Sequence, residues 1–205
     1  YKEFSILSSR PNKLEIKKIK HHLYGTISAK KHFSSGDWFK EAKKKINICF
    51  KNKKIPIIVG GTGLYFNTIT KGISNIPDID IKTRSKVRSL FNRLGYQKFY
   101  EELLKLDPKV KHKILPTDSQ RTQRAYEVKL NTKKSLFEWI AITKSEFSDF
   151  NLKKVFIDTP RDELLRKISK RTELMFKENC IKEVKKFNSL RINKSLSANK
   201  LIGVH

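Results

Sequence analysis

Two stretches of the sequence carry residue types that could handle phosphate. The first is Pro56 to Tyr65, PIIVGGTGLY, where three glycines and a threonine follow an apolar run. Successive glycines let backbone amides come close to a ligand, and the start of a following helix offers partial positive charge to an anion. The stretch matches neither the dinucleotide fingerprint GxGxxG nor the Walker pattern GxxxxGK, and no glycine in the chain is followed by lysine. A tight turn with close helix packing would use the same residues. The second stretch is Pro116 to Val128, PTDSQRTQRAYEV. Thr117 and Gln120 stand at capping-box spacing, so a helix is expected to start there with Arg121 and Arg124, three apart, on one side. Two guanidiniums near a helix start suit a diphosphate or an RNA backbone, because Arg presents planar, bidentate donors. A solvated helix face would carry them equally well.

Other constellations are weaker. Arg161, Arg166, Lys167, Lys170 and Arg171 surround a predicted helix start, but basic residues on a surface helix are ordinary in so basic a chain. His21 and His22 are adjacent, so their side chains diverge, and no Cys or carboxylate pattern at ligand spacing accompanies them. Neither a metal site nor a Ser, His, Asp triad has a local motif behind it.

The elements that must position these groups read as α/β. Trp38, Phe39, Ala42, Ile46, Cys49 and Phe50 recur at helical spacing behind Ser34 or Ser35 as cap. Ile55 to Val59 is short, β-branched and bounded by Lys and Gly, the pattern of a strand buried on both faces. The glycines then lead into a helix, Leu64 to Lys71, ended by Gly72. From Pro77 to about Asp149 no comparable strand is expected; Val87, Leu90, Phe91 and Leu94, then Phe99, Leu103, Leu104 and Leu106, predict amphipathic helices. Lys154 to Asp158 returns to strand character, and Thr159-Pro160 predicts a helix capped by Thr159, with Leu164, Leu165, Ile168 and Met175 on its apolar side. The expected organisation is part of an α/β core over residues 1–77, a helical insertion over 78–117 whose end reaches as far as about 150, and the remainder of the core with the start of C-terminal helices over 118–205.

Composition narrows the classes. Leu, Ile, Val and Phe make up 61 of 205 residues, enough for a core, so global disorder is excluded. The longest apolar runs fall far short of a bilayer span, so no membrane segment is expected. Cys49 and Cys180 are far apart with no CxxC partner, which points to a reducing, cytoplasmic setting. Lys and Arg number 46 against 20 Asp and Glu, a net charge of +26 that suits a polyanionic partner. Of the basic residues 36 are Lys and only 10 Arg, a bias that composition alone could produce, so charge names no chemistry.

Taken in order, the segments resemble the tRNA dimethylallyltransferase family. The resemblance rests on HHL at His21, FSSGDWFKEA from Phe33, PIIVGGTGLY from Pro56, Pro77 to Arg84, LDP at Leu106, PTDSQRTQRAYEV from Pro116 and RKISKRTELMF from Arg166. It implies a P-loop NTPase-like, nucleotide-binding core with parallel strands, incomplete here, and an α-helical insertion. It implies transfer of a dimethylallyl group from dimethylallyl diphosphate to the exocyclic amine of the adenosine 3′ of the tRNA anticodon, with Mg2+, by a cytoplasmic monomer. Residue by residue, Thr62, Arg84, Gln120, Arg121, Thr122, Gln123 and Arg124 look like tRNA-contacting positions, and Arg121 and Arg124 also look able to face the diphosphate. The family's phosphate-binding loop, and the aspartate expected as base, fall before the tyrosine that matches Tyr1, so the catalytic residue is not assigned and this chain is expected to be an inactive piece by itself. Ser8-Ser9-Arg10-Pro11 replaces the usual Thr-Ala-Lys-Pro, and Lys167-Ile168 the usual Arg-Ile. A nucleotide-kinase-like phosphotransferase would share the fold class, and a non-enzymatic basic RNA-binding protein would share the charge.

Overall fold

A computed structural model describes residues 1–194 and 196–204. Eight α-helices occur among them: α1 (Lys13–Lys18), α2 (Ser35–Lys51), α3 (Gly63–Thr70), α4 (Ile81–Leu106), α5 (Ser119–Thr132), α6 (Leu136–Ala141), α7 (Arg161–Lys177) and α8 (Cys180–Ser189). The chain divides into two compact units, Tyr1–Tyr65 with Leu152–His205, and Phe66–Asn151. Both cysteines are free, Cys180 buried and Cys49 half-buried.

The unit Phe66–Asn151 is built on α4 and α5. Asp80 caps α4 by accepting from the Thr83 amide at 2.7 Å, and Gly95, at φ 71° and ψ 172°, breaks the helical path partway along. Beyond that kink Phe99 packs on Phe91 (ring centroids 5.2 Å) and on Tyr126 of α5 (5.1 Å). Tyr100, Leu103, Val110, Ile114 and Ala125 form the buried cluster. Asp107, of the LDP motif, is buried and turns the chain through Pro108–Val110 by accepting from the Lys109 amide. Buried Ser135 starts α6 with a reciprocal capping box to Glu138. Gly72 has φ +89°, and a Cβ there would run into the Lys144 carbonyl, so glycine is required where α3 was expected to stop.

In the other unit, α2 follows its periodicity. Ser34 and Asp37 make the capping box, with the Ser34 amide donating to the Asp37 carboxylate at 2.9 Å, and Phe39, Ala42 and Ile46 are buried. The core gathers Phe4, Ala29, Phe187, Ala198 and Val204, with Phe4 and Phe187 rings 4.6 Å apart. Two charged side chains tie the first ten residues down. Glu183 of α8 accepts from the amides of Ser5 (2.6 Å), Ile6 (3.0 Å) and Leu7 (3.0 Å) and from the Ser5 hydroxyl (2.9 Å). Arg10 donates to the carbonyls of Tyr1 and Phe4, each at 2.6 Å, and its guanidinium fills the space that a Cβ at Gly25 (φ +59°) would occupy.

Three expectations are corrected. No strand forms among the described residues, so the α/β reading of Ile55 to Val59 and Lys154 to Asp158 is not confirmed by their backbone. Ile55, Ile57 and Val59 are 87%, 82% and 78% exposed, and Val155, Phe156 and Ile157 are 85%, 89% and 84% exposed. A strand exists only through a neighbour that takes its backbone bonds, and residues 55–61 and 151–159 make no backbone–backbone hydrogen bond to any described residue. Secondly, α7 begins at Arg161 instead of behind Thr159, because Pro160 keeps an extended ψ of 139°; no side chain caps it, and Leu164, Leu165 and Ile168 are about half exposed. Thirdly, Asp118, not Thr117, caps α5: its carboxylate accepts from the Arg121 amide at 3.1 Å and its carbonyl from the Thr122 amide at 3.0 Å.

Candidate nucleic-acid interface

The first turns of α5 sort its residues by direction. Thr122 and Ala125 are fully buried, and the Thr122 hydroxyl donates to the Ser119 carbonyl at 3.2 Å. Thr122 therefore belongs to the packed side of the helix and has no surface to offer a ligand. Gln120 and Arg121 are exposed, while Gln123 and Arg124 are half-buried. Gln123 donates to the Ser119 carbonyl at 3.0 Å, which holds its amide along the helix.

The two arginines are held differently. Arg121 lies 3.5 Å from Asp118 with 74% of its side chain in solvent, so this pair is weak and easily exchanged for a phosphate. Arg124 lies 3.7 Å from Glu127, whose side chain is only 9% exposed. A buried carboxylate is costly without a counter-charge, so Glu127 keeps the Arg124 guanidinium on one side of the helix. Arg121 can swing, whereas Arg124 is aimed. Glu127 was not singled out in the sequence; its place three residues after Arg124 was the available signal. Behind the arginines, burial pushes the Tyr126 phenol upward and the Glu102 carboxylate adds to that, so its hydroxyl stays a donor at neutral pH.

Arg84 stands in the first turn of α4, in the same unit as α5. Its Nε is buried with no hydrogen-bond partner. That nitrogen is enclosed by the protein, so it offers no surface to an acceptor from outside. Among the described residues no hydrogen bond or ion pair links Arg84 to Gln120, Arg121, Thr122, Gln123 or Arg124.

Thr62 belongs to the other unit, exposed between Gly61 and Gly63 at the start of α3. A Cβ built at Gly60, Gly61 or Gly63 meets nothing within 4 Å, so close helix packing is not what this turn uses its glycines for here. The helix that follows is anchored by Tyr65, whose ring stacks on Trp38 at 4.3 Å and 10°. The glycine turn presents open backbone beside a fixed aromatic pair.

Among the described residues no three His, Cys, Asp or Glu side chains gather in a group able to hold a metal ion. No described helix is long and apolar enough to cross a membrane.

Against known proteins, the IPP transferase family model matches residues 1–205. The chain belongs to the IPP transferase family. A tRNA dimethylallyltransferase of Pelagibacter ubique (strain HTCC1062) is 51% identical over 204 residues, covering 100% of this chain and 65% of that protein. One from Wolbachia of Drosophila simulans (strain wRi) is 37% identical over 205 residues, covering 100% of this chain and 68% of that one. The chain thus spans about two thirds of the length of these family members. Among solved structures, the full-length tRNA isopentenylpyrophosphate transferase of Bacillus halodurans superposes with a TM-score of 0.61 at 27% identity, over 98% of this chain and 62% of that one. A eukaryotic dimethylallyltransferase acting on tRNA shares the fold with a TM-score of 0.76 at 22% identity, over 96% of this chain and 48% of that one.

Proposed function

We propose that the protein takes part in transferring a dimethylallyl group from dimethylallyl diphosphate to the exocyclic amine of the adenosine 3′ of the tRNA anticodon. In that reaction the amine attacks the allylic carbon, the bond to the diphosphate oxygen breaks, and the amine loses a proton to a base. Charge grows on the leaving diphosphate, and fixed donors that meet it lower the barrier. The observation that carries the reading is the start of α5 in a chain of this family: a mobile Arg121 and an aimed Arg124 on one helix. Gln120 and Gln123 beside them, with Arg84 in the first turn of α4, extend the tRNA-facing set, and the open turn at Thr62, in the other unit, is a separate contact. An adenosine stacked in its loop is out of reach of such a site, so the base must be drawn out to react.

These residues account for binding and for charge neutralisation; removal of the amine proton is assigned to none of them. Mg2+ stays in the proposal as an ion carried by diphosphate oxygens, and the protein acts as a cytoplasmic monomer. The test is binding to an unmodified anticodon stem-loop with adenosine 3′ of the anticodon, compared with guanosine there, across a salt series. A preference for adenosine that persists at high salt is expected. Arg124→Ala should weaken both loops and reduce the slope of log affinity against log salt by about 1 if it meets a phosphate. Equal binding of both loops that collapses with salt would reduce the interaction to bulk charge and sink the reading. Phosphoryl transfer from ATP to a small nucleotide would replace it with the kinase alternative.

A further inference from the structure

We propose that the hollow between the last turns of α4 and the segment 111–116 binds a small amphiphilic anion, a short hydrocarbon chain ending in a phosphate or a carboxylate. This goes beyond the RNA reading and does not depend on it. The hollow lies wholly within the unit Phe66–Asn151 and measures about 340 Å3. Neither Arg121 nor Arg124 lines it, so it is separate from the pair at the start of α5. Its floor is apolar: Tyr100 and Ile114 are buried in the cluster shared by α4 and α5, Leu104 packs on that cluster, and Leu115 is 71% exposed. The volume is at the small end of the roughly 300–1,000 Å3 usual for ligand pockets, so the occupant is a small molecule. An exposed leucine beside buried apolar residues gains cover when a hydrocarbon chain is laid against it.

Charge decides what that chain must carry. Lys111, His112 and Lys113 complete the lining, and no carboxylate is part of it among the described residues. Nearby lysines are already matched, Lys105 by Glu102 at 2.7 Å and Lys109 by Glu138 at 2.8 Å. Lys111 and Lys113 make no ion pair with any described residue. Lys113 Nζ lies 4.8 Å from the centroid of the Phe137 ring, which holds its ammonium at the edge of the apolar cluster. The backbone sets these three residues side by side. Lys111 has φ −53° and ψ 134°, His112 has φ 62°, and the Lys113 amide donates to the Val110 carbonyl at 3.0 Å, the pattern of a type II turn whose third place favours glycine. Histidine is kept there at a cost in strain, and strained backbone gathers where ligands are held. An ammonium acts as a point charge toward phosphate and carboxylate alike, so the shared requirement is an anionic head. A neutral apolar molecule leaves the lysines unmatched, and an inorganic anion leaves the floor in water. A molecule with both parts answers both.

The test is an NMR titration of the full 205-residue chain, 15N-labelled, with hexyl phosphate and heptanoate, and with butyl phosphate, inorganic phosphate and 1-hexanol beside them. Saturable shifts at residues 100, 104 and 111–115 are expected with hexyl phosphate or heptanoate, and the tighter of the two names the headgroup. Butyl phosphate should bind about tenfold more weakly than hexyl phosphate, the difference that two covered methylenes make, and inorganic phosphate and 1-hexanol more weakly still. Lys111→Ala should weaken hexyl phosphate about threefold to fivefold, and Leu115→Ser about fivefold. Both side chains are exposed, so circular dichroism of the two variants should match wild type, and Lys71→Ala, outside the hollow, should leave binding unchanged. Equal binding of inorganic and hexyl phosphate would reduce the site to bulk charge and overturn the proposal. Shifts scattered over the lysines of the whole chain would do the same. So would an anticodon stem-loop that shifts these residues while neither amphiphile does, which would make RNA the occupant.

Discussion

The unit Phe66–Asn151 builds its core from elements close to one another in sequence, whereas the unit made from the two ends of the chain leaves its most β-branched runs in water. In the first, α4 ends at Leu106 and α5 starts at Ser119, and the two helices share the cluster around Leu103. In the second, Phe4 must find Phe187, and Ser5 must find Glu183, across nearly the whole chain. Helices carry their own backbone bonds and need only one covered face. Strands need a neighbour before they are strands at all. The difference between the units is therefore one of dependence on distant partners.

The sharpest test of the contrast is Leu103→Ala. Leu103 is fully buried, and its truncation should destabilise Phe66–Asn151 by about 2–5 kcal/mol, read by urea unfolding. A loss below about 1 kcal/mol would mean that this unit is no better packed than its counterpart. Next comes Glu183→Ala, which strands three amides and a hydroxyl and should cost about 1–3 kcal/mol in the end-to-end unit. Its pH dependence is a second handle. Burial pushes the Glu183 carboxyl up, but the bonds from Ser5, Leu7 and Ile6 outweigh it, and the net pKa lies below the ordinary 4.5. A depressed folded pKa gives stability that is complete above the unfolded value and lost as pH falls through the folded one. Acid should thus weaken wild type more than Glu183→Ala, and parallel pH curves would remove Glu183 as the clamp. Gly95→Ala should cost about 1–3 kcal/mol from backbone strain alone, because φ 71° with ψ 172° is open essentially to glycine only and nothing lies within 4 Å of a Cβ there. The smallest effect belongs to Ile57→Ala, within about 0.5 kcal/mol for the chain alone, since an 82% exposed side chain has little burial to lose. A larger loss would show that the run already has a partner.

What the sequence made legible follows the same division. Ser34 and the Trp38 to Phe50 spacing located α2, and the Val87 to Leu106 pattern located α4, because caps and periodicity are local facts. Ile55 to Val59 has the composition of a buried strand and an extended course, yet composition cannot say whether the neighbour is present. At the candidate interface, Arg121 and Arg124 were visible as a spaced pair on the surface of α5. Which of the two is held could not be read without knowing that Glu127 is buried. Thr122 looked like its neighbours on paper and turned inward because a helix rotates about 100° per residue, which carries it to the side of Ala125.

The contact between Arg10 and Gly25 makes those two positions inseparable in any substitution study. With Arg10 in place, Gly25→Ala both strains a left-handed backbone and evicts the guanidinium from the carbonyls of Tyr1 and Phe4. With Arg10→Ala already made, the same change at 25 asks only the backbone question. The two losses should sum to more than the double variant shows, so a double-mutant cycle here would weigh how much of the order in the first ten residues rests on an empty space one side chain away.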